Sequence, residues 1–179
     1  ALLLQSEDMP PLARALTGIP EAQPVPASEE WSTFLPPGWM PPPSHKLPAQ
    51  PLPIPPPRLD VVERSDDAKA GTRTLRLRLF ASGWVTFVEI PYASLVSWSF
   101  PGELPKPLEG QTTITLLLVA PNPAGQELTL TLRGSTPVPV QLRQFHPPDT
   151  SPELQSLRQR LPAWTTLNAR SLQAVRVSL

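Results

Sequence analysis

His45 and His146 are the only imidazoles in the chain, and cysteine is absent, so metal or nucleophilic chemistry would have to be built around these two residues. Two histidines with carboxylates would make a zinc site, but neither has a partner at a ligand-like interval such as the four-residue offset of one helix face. His45 stands in Pro43-Ser-His-Lys46, while His146 follows the expected strand Val138–Phe145 and precedes Pro147-Pro-Asp149. The expectation is a surface histidine and a strand-end histidine, with no metal and no cofactor. Asp66-Asp67 could act as paired carboxylates or calcium ligands. Their setting, Arg64-Ser-Asp-Asp-Ala-Lys-Ala-Gly71, has the turn residues of a hairpin loop and lacks the regular oxygen-ligand spacing of a calcium loop. No Gly-x-Ser-x-Gly elbow activates a serine, and the 8 glycines form no phosphate-cradling cluster. No catalytic residue is assigned.

Binding chemistry has more to offer. Pro53-Ile-Pro-Pro56-Pro-Arg58 has the Pro-x-x-Pro-x-Arg form that docks on aromatic grooves, the prolines presetting an extended helix and the arginine meeting an acidic rim. Its alternative is a rigid spacer leading into the first strand. Flat aromatics stack on sugars or peptides, which makes Trp31, Trp39 and Trp98 candidate contacts. Trp84 and Trp98 fall in or beside strand-like runs, where a core role is the competing reading. Arg73, Arg76, Arg78, Arg133 and Arg143 could form a basic face. The 15 basic and 15 acidic residues cancel, so these arginines are expected to point outward and pair with carboxylates, and nucleic acid is not an expected partner.

The elements that would position these residues divide at Arg58. More than half of the 28 prolines precede it, in clusters such as Pro41-Pro42-Pro43 and Pro55-Pro56-Pro57. Proline lacks the backbone donor and drives its predecessor to extended geometry, so residues 1–57 read as an arm of polyproline-II and turn. Short helical pieces are expected at Pro10–Leu16 and Ser28–Leu35. Trp31, Phe34, Trp39 and Met40 are too apolar for a flexible linker and suit an arm strapped across a domain. Ala1-Leu-Leu-Leu4 is either the stump of a longer apolar segment or a fragment of helix. No run reaches the roughly 20 apolar residues of a spanning helix, so no membrane span is expected within the chain.

Beyond Arg58 the period is two. Thr74–Leu79 alternates Leu75, Leu77 and Leu79 with threonine and arginine, and Gln126–Arg133 does the same with Leu128, Leu130 and Leu132. Val138, Val140 and Leu142 follow, giving an expected hairpin with the preceding strand. Ile114, Leu116 and Leu118 form another inward set, with a turn at Asn122–Gly125. Leu59–Glu63, Trp84–Ile90, Leu95–Trp98 and Val175–Leu179 complete about seven or eight strands, with one short helix near Pro152–Leu161. The predicted fold is all-β: an antiparallel β-sandwich over 58–179 with a proline-rich N-terminal arm over 1–57. With 40% hydrophobic and 17% charged residues the chain has material for such a core.

The order of these stretches resembles the soluble tail of membrane-bound zinc peptidases of the aminopeptidase S/aminopeptidase Y type, which include the endoplasmic reticulum metallopeptidases. The resemblance runs over residues 20–179. It is carried by Ala27–Leu35, Leu52–Leu59, Arg73–Leu79, Gly125–Leu132 with Val138–Leu142, and Leu161-Pro162 with Ser171–Leu179. It implies a non-catalytic accessory or interaction domain on the periplasmic or lumenal side, tethered to the membrane through its parent. The implied partner is the parent's own peptidase domain or a substrate protein. The zinc ligands would lie outside this chain. Two other functions suit the residues: a carbohydrate- or peptide-binding sandwich, and a stand-alone adaptor using the proline-rich arm.

Overall fold

A computed structural model of the chain describes residues 2–4, 23–24, 45–47, 53–122, 124–146, 152–161, 163 and 171–179. The chain divides into two compact units, Ala1–Pro53 with Pro148–Ser171, and Ile54–Pro147 with Leu172–Leu179. In the first unit three short strands, β1 (Leu2–Leu4), β2 (Gln23–Pro24) and β3 (His45–Leu47), form an antiparallel sheet in the order β1-β3-β2. This corrects two expectations. Leu2–Leu4 is not helix but a strand, with Leu2 opposite Leu47, and the arm contains a sheet. Proline does not forbid it, because the central strand His45-Lys-Leu47 is free of proline and Pro24 sits on an edge strand, where a missing donor costs no ladder bond. Trp31, Trp39, Phe34, Met40 and the short helical pieces at 10–16 and 28–35 lie outside the described residues.

The second unit is a sandwich of two four-stranded antiparallel sheets. One contains β4 (Arg58–Asp67), β5 (Thr72–Phe80), β9 (Gln126–Arg133) and β7 (Leu95–Trp98), in the order β4-β5-β9-β7. The other contains β11 (Ser171–Ser178), β10 (Pro139–His146), β6 (Val85–Pro91) and β8 (Thr113–Val119), in the order β11-β10-β6-β8. The alternation read in the sequence sets their inner faces. Leu75, Leu77, Leu79, Leu128, Leu130 and Leu132 from the first sheet meet Val88, Ile90, Ile114, Leu116, Val140 and Leu142 from the second in one dry cluster. Each such side chain stabilises the unit by roughly 1.5–3 kcal/mol relative to exposure. The expected helix is present as α1 (Pro152–Arg160), which belongs to the first unit; Glu153 lies in its first turn and Arg158 and Arg160 in its last, matching the helix dipole at both ends.

The expected hairpin between β9 and β10 does not form. The two strands lie in different sheets, and residues 134–138 carry the chain across the sandwich. Alternation fixes which face of a strand is buried and says nothing about which neighbour it pairs with. After the β4–β5 hairpin, every link from β5 through to β10 changes sheets. Asp67 caps that hairpin's turn, its Oδ1 accepting the backbone N–H groups of Lys69 and Ala70 at 3.0 Å. Asp66 belongs to β4, and its carboxyl is held below its ordinary range chiefly by the hydrogen bond from Arg64. Both aspartates thus end β4, opposite Arg73 and Thr72 of β5, at the base of the hairpin rather than in the expected loop.

The arginines separate into two groups. Arg76 and Arg78 face outward and pair with carboxylates, Arg76 with Glu63 at 3.1 Å and Arg78 with Glu127 at 2.7 Å. Arg73 and Arg143 are buried, against expectation. Arg73 shares its parity with Leu75, Leu77 and Leu79 and so points inward at the rim of the sandwich. There its guanidinium donates to the backbone carbonyls of Gly134, Thr136 and Leu179. Arg143 pairs with Glu89 on the outer side of β10 and β6, beside the edge-to-face rings of Phe87 and Phe145.

The opposite rim is closed by Gln144. Its Oε1 accepts the backbone N–H groups of Ser82 and Gly83 at 3.1 and 3.2 Å, and its Nε2 donates to the Pro55 carbonyl at 2.9 Å and to Gln173 Oε1. Gln173 Nε2 donates in turn to the Ile54 carbonyl at 2.8 Å. Four segments distant in sequence thus meet on one fully buried amide. Gly83 allows this approach, since a Cβ there would stand 2.8 Å from the Phe145 carbonyl oxygen.

Candidate functional site

A sandwich of open sheets has four edge strands, and three of them are guarded in the ways that prevent unwanted pairing. β4 has a register irregularity between Val61 and Glu63 and carries Arg58, Asp60, Glu63, Arg64, Asp66 and Asp67. β7 is four residues long with a register shift of its own. β11 carries Arg176. The fourth, β8, reads Thr113-Ile-Thr-Leu-Leu-Leu-Val119, with no charge, no proline and an unbroken register against β6 from Thr113 to Val119.

The direction of its free backbone groups follows from two bonds at its ends. Ala120 N donates to the Trp84 carbonyl at 2.7 Å, and Tyr92 N donates to the Thr112 carbonyl at 2.9 Å, so residues 112 and 120 bond on the β6 side. Bonding direction alternates along a strand, so Ile114, Leu116 and Leu118 bond to β6 while Thr113, Thr115, Leu117 and Val119 direct N–H and C=O to the outer edge. Among the described residues no strand pairs with that edge. The same odd-numbered set carries the solvent-facing side chains. Leu117 is 52% and Val119 63% exposed, and Trp84, beside the end of the strand, is 51% exposed. Ala120 ends β8 with φ 46°, a left-handed conformation that costs a non-glycine residue roughly 1–2 kcal/mol.

Among the described residues, those singled out in the sequence do not converge. Trp98 and Arg58 lie on opposite edges of one sheet. Trp98 packs on the core, its ring edge-to-face with Phe100 at 5.8 Å and its Nε1 donating to the Gly102 carbonyl at 3.4 Å. Pro53 and Pro56 are exposed, but the carbonyls between them, on Ile54 and Pro55, are held by Gln173 and Gln144. Arg58 is exposed and engaged within the chain, with Asp60 at 3.0 Å and over the Phe80 ring at 4.5 Å. His146 is buried, with Nε2 3.4 Å from Gln173 Oε1, and His45 lies in β3. Among the described residues no group of three or more His, Asp or Glu side chains is placed to hold a metal ion. Trp84 is not a core residue: it stands just before β6, and half of it faces solvent.

Comparison with family models, with curated proteins and with solved structures gives no match to this chain. No helix among the described residues is long and apolar enough to cross a membrane. The surface that stands out, the outer edge of β8, was not among the residues marked in the sequence. Its signal was present: in Leu116-Leu-Leu-Val119 the apolar residues occupy both parities, whereas Leu75–Leu79 and Leu128–Leu132 keep one parity polar.

Proposed function

We propose that the chain is a non-catalytic accessory domain that engages protein by strand addition along the outer edge of β8. The observation that carries this reading is the pairing, in one uncharged edge strand, of open backbone groups with Leu117 and Val119, each more than half exposed. Backbone ladders supply affinity in this mode and alternate side chains supply selectivity. The more specific form places the domain on the extracytoplasmic side of a membrane-bound zinc peptidase, with the peptidase domain or its substrate protein as partner. It rests on the sequence resemblance alone, and in that form the zinc ligands are encoded in the same reading frame outside this chain.

A photo-cross-linking residue in place of Val119, in the chain within its native cellular setting, is expected to give a discrete covalent product. The same residue in place of Thr129, on the outer face of the other sheet, gives none. Leu117→Lys, which puts a charge on the edge without touching the core, is expected to reduce the Val119 product at least tenfold. Equal labelling from Val119 and Thr129 would remove the support for β8 as the docking edge.

A further inference from the structure

We infer that the occupant of the β8 edge is a second copy of this chain, its β8 antiparallel to the first about a two-fold axis at Leu117. This deepens the reading of β8 as a docking edge and rests on it.

Self-pairing makes stringent demands, and among the four edges β8 meets them. A two-fold places every residue of the strand opposite its own set, so any charge would lie near its own kind across the new ladder. β11 would bring Arg176 towards its copy, and β4 would present six charged residues and a bulge. β8 presents none. With Leu117 opposite Leu117, the odd-numbered residues that direct N–H and C=O outward become the hydrogen-bonded pairs. Thr115 then faces Val119 on both sides of the axis. The exposed face of each pair joins Leu117 to Leu117 and a β-branched threonine to a β-branched valine, combinations that favour cross-strand packing. The two β11-β10-β6-β8 sheets would become one continuous sheet. The whole chain carries no net charge, 15 basic against 15 acidic residues, so no long-range repulsion opposes two copies. Edge pairing of one short strand stays below the ~1,200 Å² of a standard interface, so the dimer should be weak, with a dissociation constant in the micromolar range.

Sedimentation velocity of the chain from about 1 to 500 µM brackets that range. The wild type is expected to move from one chain mass to two, and Leu117→Lys to weaken the transition at least tenfold. Thr115→Lys, on the same edge and also solvent-facing, serves as a second charged variant should the first fail to fold. Absence of native cysteine makes a single introduced thiol unambiguous. The roughly 5.5 Å between Cα atoms of a hydrogen-bonded pair lies within disulfide reach. Leu117→Cys should therefore oxidise to a covalent dimer at least tenfold faster than Leu108→Cys, whose position is 77% exposed on a loop. A single-chain mass across the range, with equal oxidation rates at the two positions, overturns self-pairing. In that case a Val119 photo-product joined to a different polypeptide preserves the docking edge, and no product at all removes that as well.

Discussion

Replacing Gln144 with leucine is expected to destabilise the sandwich by on the order of 3 kcal/mol, because several buried polar groups lose their partners in one step. The Gln144 amide uses both of its ends. The backbone N–H groups of Ser82 and Gly83 lose an acceptor, and the Pro55 carbonyl and Gln173 Oε1 lose a donor. Leucine is apolar and close in size, so the loss comes from the unmet partners rather than from a void. For a unit near 100 residues such a loss lowers the melting temperature by roughly 10–20 °C. Gln144→Glu separates the two ends of the amide. It keeps an acceptor for Ser82 and Gly83 but turns a carboxylate towards the Pro55 carbonyl and Gln173 Oε1. Burial beside these oxygens raises the folded-state pKa of the introduced carboxyl above its unfolded value, so this variant should gain stability as pH falls through that folded pKa, the gain levelling off below the unfolded one. Thermal melts of both variants between pH 4 and 8 test the argument, using the ordinary carboxylate range of about 4 as the lower bound. A leucine variant that melts with the wild type would show that the amide holds nothing together.

Truncating Arg73 to alanine should cost roughly 2–4 kcal/mol, combining lost stem packing with lost charge-assisted hydrogen bonds. Two effects oppose each other here. Burying a guanidinium to 2% exposure is unfavourable, and removing it relieves that cost. Against this, one planar fork reaches the carbonyls of Gly134, Thr136 and Leu179, the last two at 2.7 and 3.1 Å. The bonds win because Arg73 ties the turn between β9 and β10 to the end of β11, where Val138 and Leu179 exchange backbone bonds at 2.8 and 3.0 Å. Arg73→Met restores the stem without the donors and should recover about half of the loss, whereas Arg73→Lys, a single point of donation, cannot span three acceptors. Faster amide exchange at Val138 and Leu179 in the alanine variant would accompany the lower melting temperature. Unchanged exchange there would show that Arg73 does not anchor β11.

Much of the sandwich was legible because its strands obey a strict binary code. Leu75, Leu77 and Leu79 against Arg76 and Arg78, and Leu128, Leu130 and Leu132 against Thr129 and Thr131, leave one orientation open to each strand. Pairing was not legible, since β9 and β10 are adjacent in sequence and sit in opposite sheets. Arg73 was misplaced by residue type although its parity with Leu75 already pointed inward. Gln144 could not have been found by pattern, as its partners Pro55, Ser82, Gly83 and Gln173 come from three separate stretches. The docking edge escaped for a different reason. Exposed apolar residues are common, and Leu117 and Val119 gain meaning only once β8 is known to end its sheet.

Residue-resolved hydrogen exchange along β8 in dilute protein addresses the open edge most directly. The structure predicts an alternating pattern, with the amides of Ile114, Leu116 and Leu118 slow and those of Thr115, Leu117 and Val119 fast. Raising the protein concentration should slow the fast set. Uniform slow exchange along the whole strand at high dilution would mean that the edge is already covered within the chain, and would contradict the account.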